Sequence, residues 1–200
     1  MKKFLIIILT IGIVFFSGCK VTYNTEKIKN PFFFNGSIQR IEYKGKFLFD
    51  DLIEKNVKLN IVKKASLKYG ELYELKLEPI EGIPPERLSL GYFYVQKDKI
   101  YKIVPTKENL SKLKTKDELP SDSVIVCQDK ELKDPLSRDR LGFHHYIVVN
   151  GDKREYHSFN NQIETGYYES FTWEKDKGLI YYRSGYGAEK DAIELKLKEN

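Results

Sequence analysis

Hydrophobic and polar residues alternate with a period of two along much of this chain. Ile38, Arg40 and Glu42 alternate with Gln39, Ile41 and Tyr43; Val57, Leu59 and Ile61 share one parity; Leu72 and Glu74 oppose Tyr73, Leu75 and Leu77. Side chains two apart on a strand share a face, so the pattern predicts half-buried strands of an antiparallel sheet. Asn150 and Gly151, between His144–Val149 and Lys153–Phe159, predict a hairpin, because both central residues of a type I′ turn need positive φ. A second hairpin is expected where Tyr92–Val95 meets Ile100–Ile103 around Lys97, Asp98 and Lys99. A third joins Tyr167–Trp173 to Leu179–Arg183 across Asp176, Lys177 and Gly178. Helical signals are short: Thr106, after Pro105, caps a segment through Leu113, and Asp50–Lys55 is expected to form another turn or two. The expectation is a mainly β fold, with α+β as the alternative: an antiparallel sandwich or half-barrel with one or two short helices. Pro84 and Pro85 mark a surface crossover within it.

The first nineteen residues follow a different rule. Lys2 and Lys3 precede an apolar run, Phe4–Phe16, interrupted only by Thr10 and Gly12. The run is shorter than the roughly 20 residues needed to cross a hydrocarbon core, and reads as the apolar stretch of a signal peptide. Phe16, Ser17, Gly18 and Cys19 follow directly, and this stretch resembles the lipobox of bacterial lipoproteins, with Phe16 where Leu is commoner. The resemblance covers residues 1–19 alone. It implies a diacylglycerol on the Cys19 thiol, cleavage before that residue, and a cell-membrane anchor with the domain facing outside the cytoplasm. An ordinary secretory signal and an uncleaved membrane anchor are the competing readings. Apart from the acyl lipid, no cofactor is expected. The chain then divides into a signal peptide (1–18), the lipidated cysteine with its tether (19–35) and a single domain (36–200). Phe32, Phe33 and Phe34 read as the point where the tether docks on that domain rather than as a membrane-inserting patch.

Charge narrows the partners. The chain has 34 basic and 29 acidic residues, a formal net charge of +5, which falls to +3 once Lys2 and Lys3 are removed. The excess is spread along the chain, so nucleic-acid binding has no footprint. The partners expected are the membrane, through the anchor, and a protein, peptide or cell-wall ligand. With Cys19 lipidated, Cys127 has no intramolecular partner and reads as a small buried residue of a strand.

Candidate chemistry is sparse. If Asn150 and Gly151 form the loop, Val149 pairs with Asp152 and His144 faces His157, a pair that could hold a metal were Glu155 to join them. His145 points to the other face. The Tyr- and Gly-rich stretch Gly178–Asp191 lacks the third glycine or Gly-Lys-Ser/Thr ending of phosphate loops and reads as a connection between two strands. Its functional reading is a ligand site built from Arg183, Tyr186, Trp173 and Tyr182, with Glu189, Asp191, Tyr167, Tyr168 and Tyr181 nearby. No Gly-x-Ser-x-Gly elbow occurs. A non-catalytic binding module is therefore the expected function, with a membrane-tethered hydrolase or metal protein using His144 and His157 as the alternative.

Overall fold

The computed structural model describes residues 29–34, 39–49, 51–132, 142–160, 166–187 and 191–199. The signal segment, Cys19, most of the tether and Glu189 lie outside them. The fold is mainly β, with 59% of the described residues in strands. The strands are β1 (Arg40–Leu48), β2 (Leu52–Ser66), β3 (Glu71–Leu77), β4 (Ser89–Val95), β5 (Lys99–Ile103) and β6 (Val124–Gln128), then β7 (His144–Asn150), β8 (Lys153–Asn160), β9 (Tyr167–Glu174), β10 (Gly178–Tyr186) and β11 (Asp191–Leu197). They form one antiparallel sheet in the order β6-β5-β4-β3-β2-β1-β11-β10-β9-β8-β7. Two meanders, β1 to β6 and β7 to β11, are thus joined by the pairing of β1 with β11, from Tyr43↔Leu197 to Leu48↔Ala192. The free edges curl together: β6 touches β7 and β8, and Leu132 bridges to Ile147 just beyond β6. The sheet is nearly a closed barrel.

Alternation decides what lies inside. Tyr43 and Phe47 of β1, Val57, Leu59 and Ile61 of β2, and Tyr73, Leu75 and Leu77 of β3 are buried in one core with Phe93, Phe171 and Trp173. The one α-helix among the described residues, α1 (Lys107–Lys116), sits on the outer face, where Leu110 and Leu113 pack against Leu72, Tyr94 and Ile103. Thr106 caps it, its hydroxyl accepting from the Asn109 amide at 3.0 Å. A 3₁₀ turn, Pro85–Leu88, follows the Pro84–Pro85 crossover between β3 and β4.

Two local expectations are corrected. Asp51–Lys55 is not helical: β2 starts at Leu52 and pairs with β1 over the whole of that strand, from Leu48↔Leu52 to Arg40↔Asn60. A helix of a turn or two is marginal by itself, and a full ladder outweighs it. In the β7–β8 hairpin Asn150 pairs with Lys153, so the loop is Gly151–Asp152. Only Gly151 takes positive φ there (55°), as at the first position of a type II′ loop, and the register moves by two residues from the expected one.

One end of the barrel is stoppered by the chain leading into it. Asn30 donates to the Gln96 carbonyl at 2.8 Å in the β4–β5 turn, and the Asp176 amide of the β9–β10 turn donates to Pro31 at 2.7 Å. Phe32, Phe33 and Phe34 are buried, Phe33 lying 4.7 Å from the Tyr73 ring and 6.0 Å from Trp173. The Arg154 guanidinium covers Phe32 at 4.4 Å. Gly178, at φ 84°, leaves room for Phe34; a Cβ there would come within 2.4 Å of the ring. The folded body thus already includes Asn30–Phe34, ahead of the start expected at residue 36. Phe33→Ala should lower the unfolding free energy by about 3–5 kcal/mol. Urea unfolding of wild type and variant measures this, and a loss below about 1 kcal/mol would mean that the plug is not part of the core.

Candidate functional site

At the end opposite the plug the inward parity turns polar. On β9 the inward residues run Trp173, Phe171, Glu169, Tyr167; on β10 they run Tyr182, Ser184, Tyr186. The β9–β10 register sets Phe171 beside Tyr182, Glu169 beside Ser184 and Tyr167 beside Tyr186. Lys102 shares the inward parity of β5, because it pairs with the core residue Phe93. Asp191 opens β11, and the 3₁₀ turn brings Glu86 and Arg87 over the rim. Tyr167, Glu169, Tyr182, Ser184, Tyr186, Lys102, Asp191, Glu86 and Arg87, with Phe49, Ser89 and Ile193, line a cleft of about 170 Å³ at the open end.

Two ion pairs organise it. The Lys102 ammonium donates to both oxygens of Glu169, at 2.5 and 2.6 Å, and lies 5.4 Å over the Phe171 ring. Glu169 has a side chain only 7% exposed, so its charge needs this partner. The Tyr182 hydroxyl lies 3.2 Å from Glu169 and 3.0 Å from Ser184. Nearer the rim, Arg87 meets Asp191 Oδ2 at 2.9 Å and lies 5.7 Å from the centre of the Tyr186 ring, which in turn packs 5.2 Å from Tyr167. Asp191 Oδ1 is buried with no protein donor. No histidine or cysteine lines the cleft. Its chemistry is hydrogen bonding to charged and hydroxyl groups beside aromatic faces, with no nucleophile and base in contact.

The residues singled out from the sequence separate. Tyr182 and Tyr186, with Tyr167 and Asp191, meet in the cleft. Arg183 is on the outer face, its guanidinium 4.7 Å over the Tyr168 ring, because it has the opposite parity to Tyr182. Trp173 is wholly buried at the plugged end. His144 pairs with Phe159 and His157 with Tyr146, so the two imidazoles are not directly opposite. His157 stacks on Tyr146 at 4.8 Å, places Nδ1 3.1 Å from the Ser170 hydroxyl and Nε2 4.0 Å from Glu155, and has its pKa lowered by burial against the opposing pull of Glu155. Among the described residues no three His, Cys, Asp or Glu side chains are grouped so as to hold a metal. Cys127 is buried opposite Ile100, and burial pushes its thiol pKa up, away from the thiolate a nucleophile needs.

Lys102, Glu169 and Arg87 were not singled out from the sequence. A signal existed for two of them: Lys102 follows Ile100 on one parity, and Glu169 stands between Tyr167 and Phe171 on another. A charge on the apolar parity of a strand marks a polar interior.

Removing one partner of the inner pair should cost far more than removing both. Lys102→Met leaves Glu169 buried without its cation and should destabilise by about 3–5 kcal/mol, whereas Lys102→Met with Glu169→Leu should recover much of that loss. A double-mutant loss equal to the sum of the two single losses would show that the pair is not coupled.

Burial raises the phenol pKa of Tyr43, Tyr167 and Tyr182, and the Glu169 charge adds to the effect at the latter two. Unfolded tyrosine ionises near pH 10, so above that pH the unfolded chain binds fewer protons than the folded one and stability falls as pH rises. Ultraviolet titration should therefore show some tyrosines that ionise only as the far-ultraviolet circular dichroism is lost. Free ionisation of every tyrosine near pH 10 with the fold intact would contradict this burial.

No described helix is long and apolar enough to cross a membrane. Comparison with known protein families, curated proteins and solved structures finds no match for this chain.

Proposed function

We propose that this protein is a membrane lipoprotein, anchored outside the cytoplasm by lipid on Cys19, whose barrel is a non-catalytic binding module with its site in the open-end cleft. The observation that carries the binding role is the open-end cleft, where the Lys102–Glu169 and Arg87–Asp191 pairs meet Tyr167, Tyr182 and Tyr186. Buried ion pairs contribute little net stability compared with apolar packing, which favours a recognition role for groups placed there. The cleft, at about 170 Å³, is smaller than the roughly 300–1,000 Å³ of pockets that enclose a whole small molecule. It suits one protruding group of a larger ligand: a peptide, a wall polymer or another exported protein. Anchoring is supported by the lipobox-like Phe16-Ser17-Gly18-Cys19 after a signal-type apolar run.

Metabolic labelling with radioactive palmitate should label the wild type and not Cys19→Ala. Cross-linking in intact cells should recover a partner or wall fragment from the wild type and not from Ser184→Trp, which fills the cleft, provided that the variant keeps its circular dichroism. An unlabelled wild type would end the anchoring half of the proposal, and identical capture by Ser184→Trp the cleft half.

A further inference from the structure

We propose that the plugged end of the barrel is a docking surface for anionic lipid headgroups, so that the cleft opens away from the bilayer. This rests on the lipid-anchored reading above and adds an orientation and a second membrane contact to it. The first support is where the chain enters. Asn30 and Pro31 are hydrogen-bonded to the β4–β5 and β9–β10 turns, and Lys29 follows Cys19 by ten residues. That stretch reaches at most roughly 35 Å. Such a length brings the plugged end near the surface but would still let the body tilt.

The second support is charge. The turns around the plug carry Lys68, Lys97, Lys99, Lys153, Lys175 and Lys177, all but Lys99 exposed. The carboxylates at this end are Asp98, Asp152, Glu174 and Asp176, with Asp129 and Glu131 just past β6 and Asp117 against Tyr69; Glu174 is engaged by Lys177 and Asp129 by Arg154. Toward the cleft end the exposed charges include Asp51, Glu81 and Glu86, beside Arg87. Lysines held within about 8 Å of an anionic leaflet are attracted to it, and those at the far end of the barrel are screened from it. Tyr69, 57% exposed beside Lys68, adds an aromatic of the kind that settles at headgroup level.

Trp173, the only tryptophan, reports on this orientation from within. It lies under Phe33 at the plugged end, while Tyr167 of the same strand lines the cleft about 20 Å away. The full-length lipidated chain is inserted into phosphatidylcholine vesicles, with or without phosphatidylglycerol, that carry a dansyl headgroup acceptor. Energy transfer from Trp173 should be at least about twofold greater with the anionic lipid and should fall in high salt. It should fall likewise in the variant Lys97→Glu, Lys99→Glu, Lys175→Glu, Lys177→Glu, and stay unchanged in Glu81→Lys, Glu86→Lys. Equal transfer on both vesicles, or transfer insensitive to the lysine reversals, overturns the docking surface while leaving the anchor standing. A sample whose intact mass shows no lipid on Cys19 overturns the anchored reading itself.

Discussion

An eleven-stranded barrel encloses more space than its own strands readily fill, and the way that space is occupied governs the rest of this structure. Eight strands make an interior just wide enough for side chains to pack; each further strand widens it. Here the excess is taken up with large aromatic residues. Trp173, Phe93 and Phe171 form an edge-to-face and stacked cluster with centroid separations of 5.6 to 6.1 Å, and Phe33 and Phe34 enter from outside the sheet to complete it at one end. Tyr43 contributes a ring and satisfies its hydroxyl on the Leu179 carbonyl at 2.5 Å. The plug is therefore part of the core, although it precedes the first strand.

Among the described residues no such stopper covers the open end, and that difference separates the two ends chemically. Inward positions there carry Glu169, Lys102, Ser184 and Asp191 in place of the aliphatic residues found farther in. An ionised carboxylate in such a place is tolerable only because an ammonium spans the barrel to it, joining β5 to β9, two strands far apart in the sheet order. The same pair acts as a cross-brace on a sheet whose edges, β6 and β7, meet through the Leu132–Ile147 bridge and the contacts of β6 with β7 and β8. Under the proposed binding role, structural brace and recognition group would be the same two side chains, and loss of one would disturb both.

Much of the sheet was legible in the residues because a period of two is a strong constraint: a one-residue slip turns every side chain to the other face. The β4–β5 and β9–β10 hairpins and the Thr106 cap follow from local chemistry that tertiary packing did not override. The Asn150 hairpin was legible as a hairpin but not in register, since either Asn150–Gly151 or Gly151–Asp152 could be the loop and the two differ by a whole pair of cross-strand partners. Asp50–Lys55 misled because a few helix-compatible residues carry no information about the partner strand waiting beside them. For the cleft, parity alone would have separated Tyr182 and Tyr186 from Arg183, but Trp173 shares the inward parity and is excluded only by its height along the barrel. Closure of the sheet, which brings Lys102 to Glu169, is a long-range event that no local pattern announces.

The construction of the cleft also bears on how it would select a ligand. Tyr167, Glu169, Tyr182, Ser184 and Tyr186 stand on two strands in continuous ladder, so their spacing is fixed by the backbone. Sites built on strands hold their geometry more tightly than sites built on loops. Arg87 and Glu86 instead arrive on a four-residue 3₁₀ turn after two prolines, and Arg87 is bound to the cleft through Asp191 and the face of Tyr186. In the proposed site, fixed groups deep in the cleft would set which shape fits, while the Arg87 side chain, 45% exposed, would exchange Asp191 for a charged ligand group. Depth would then discriminate by form and the rim by charge, two filters supplied by different parts of the chain.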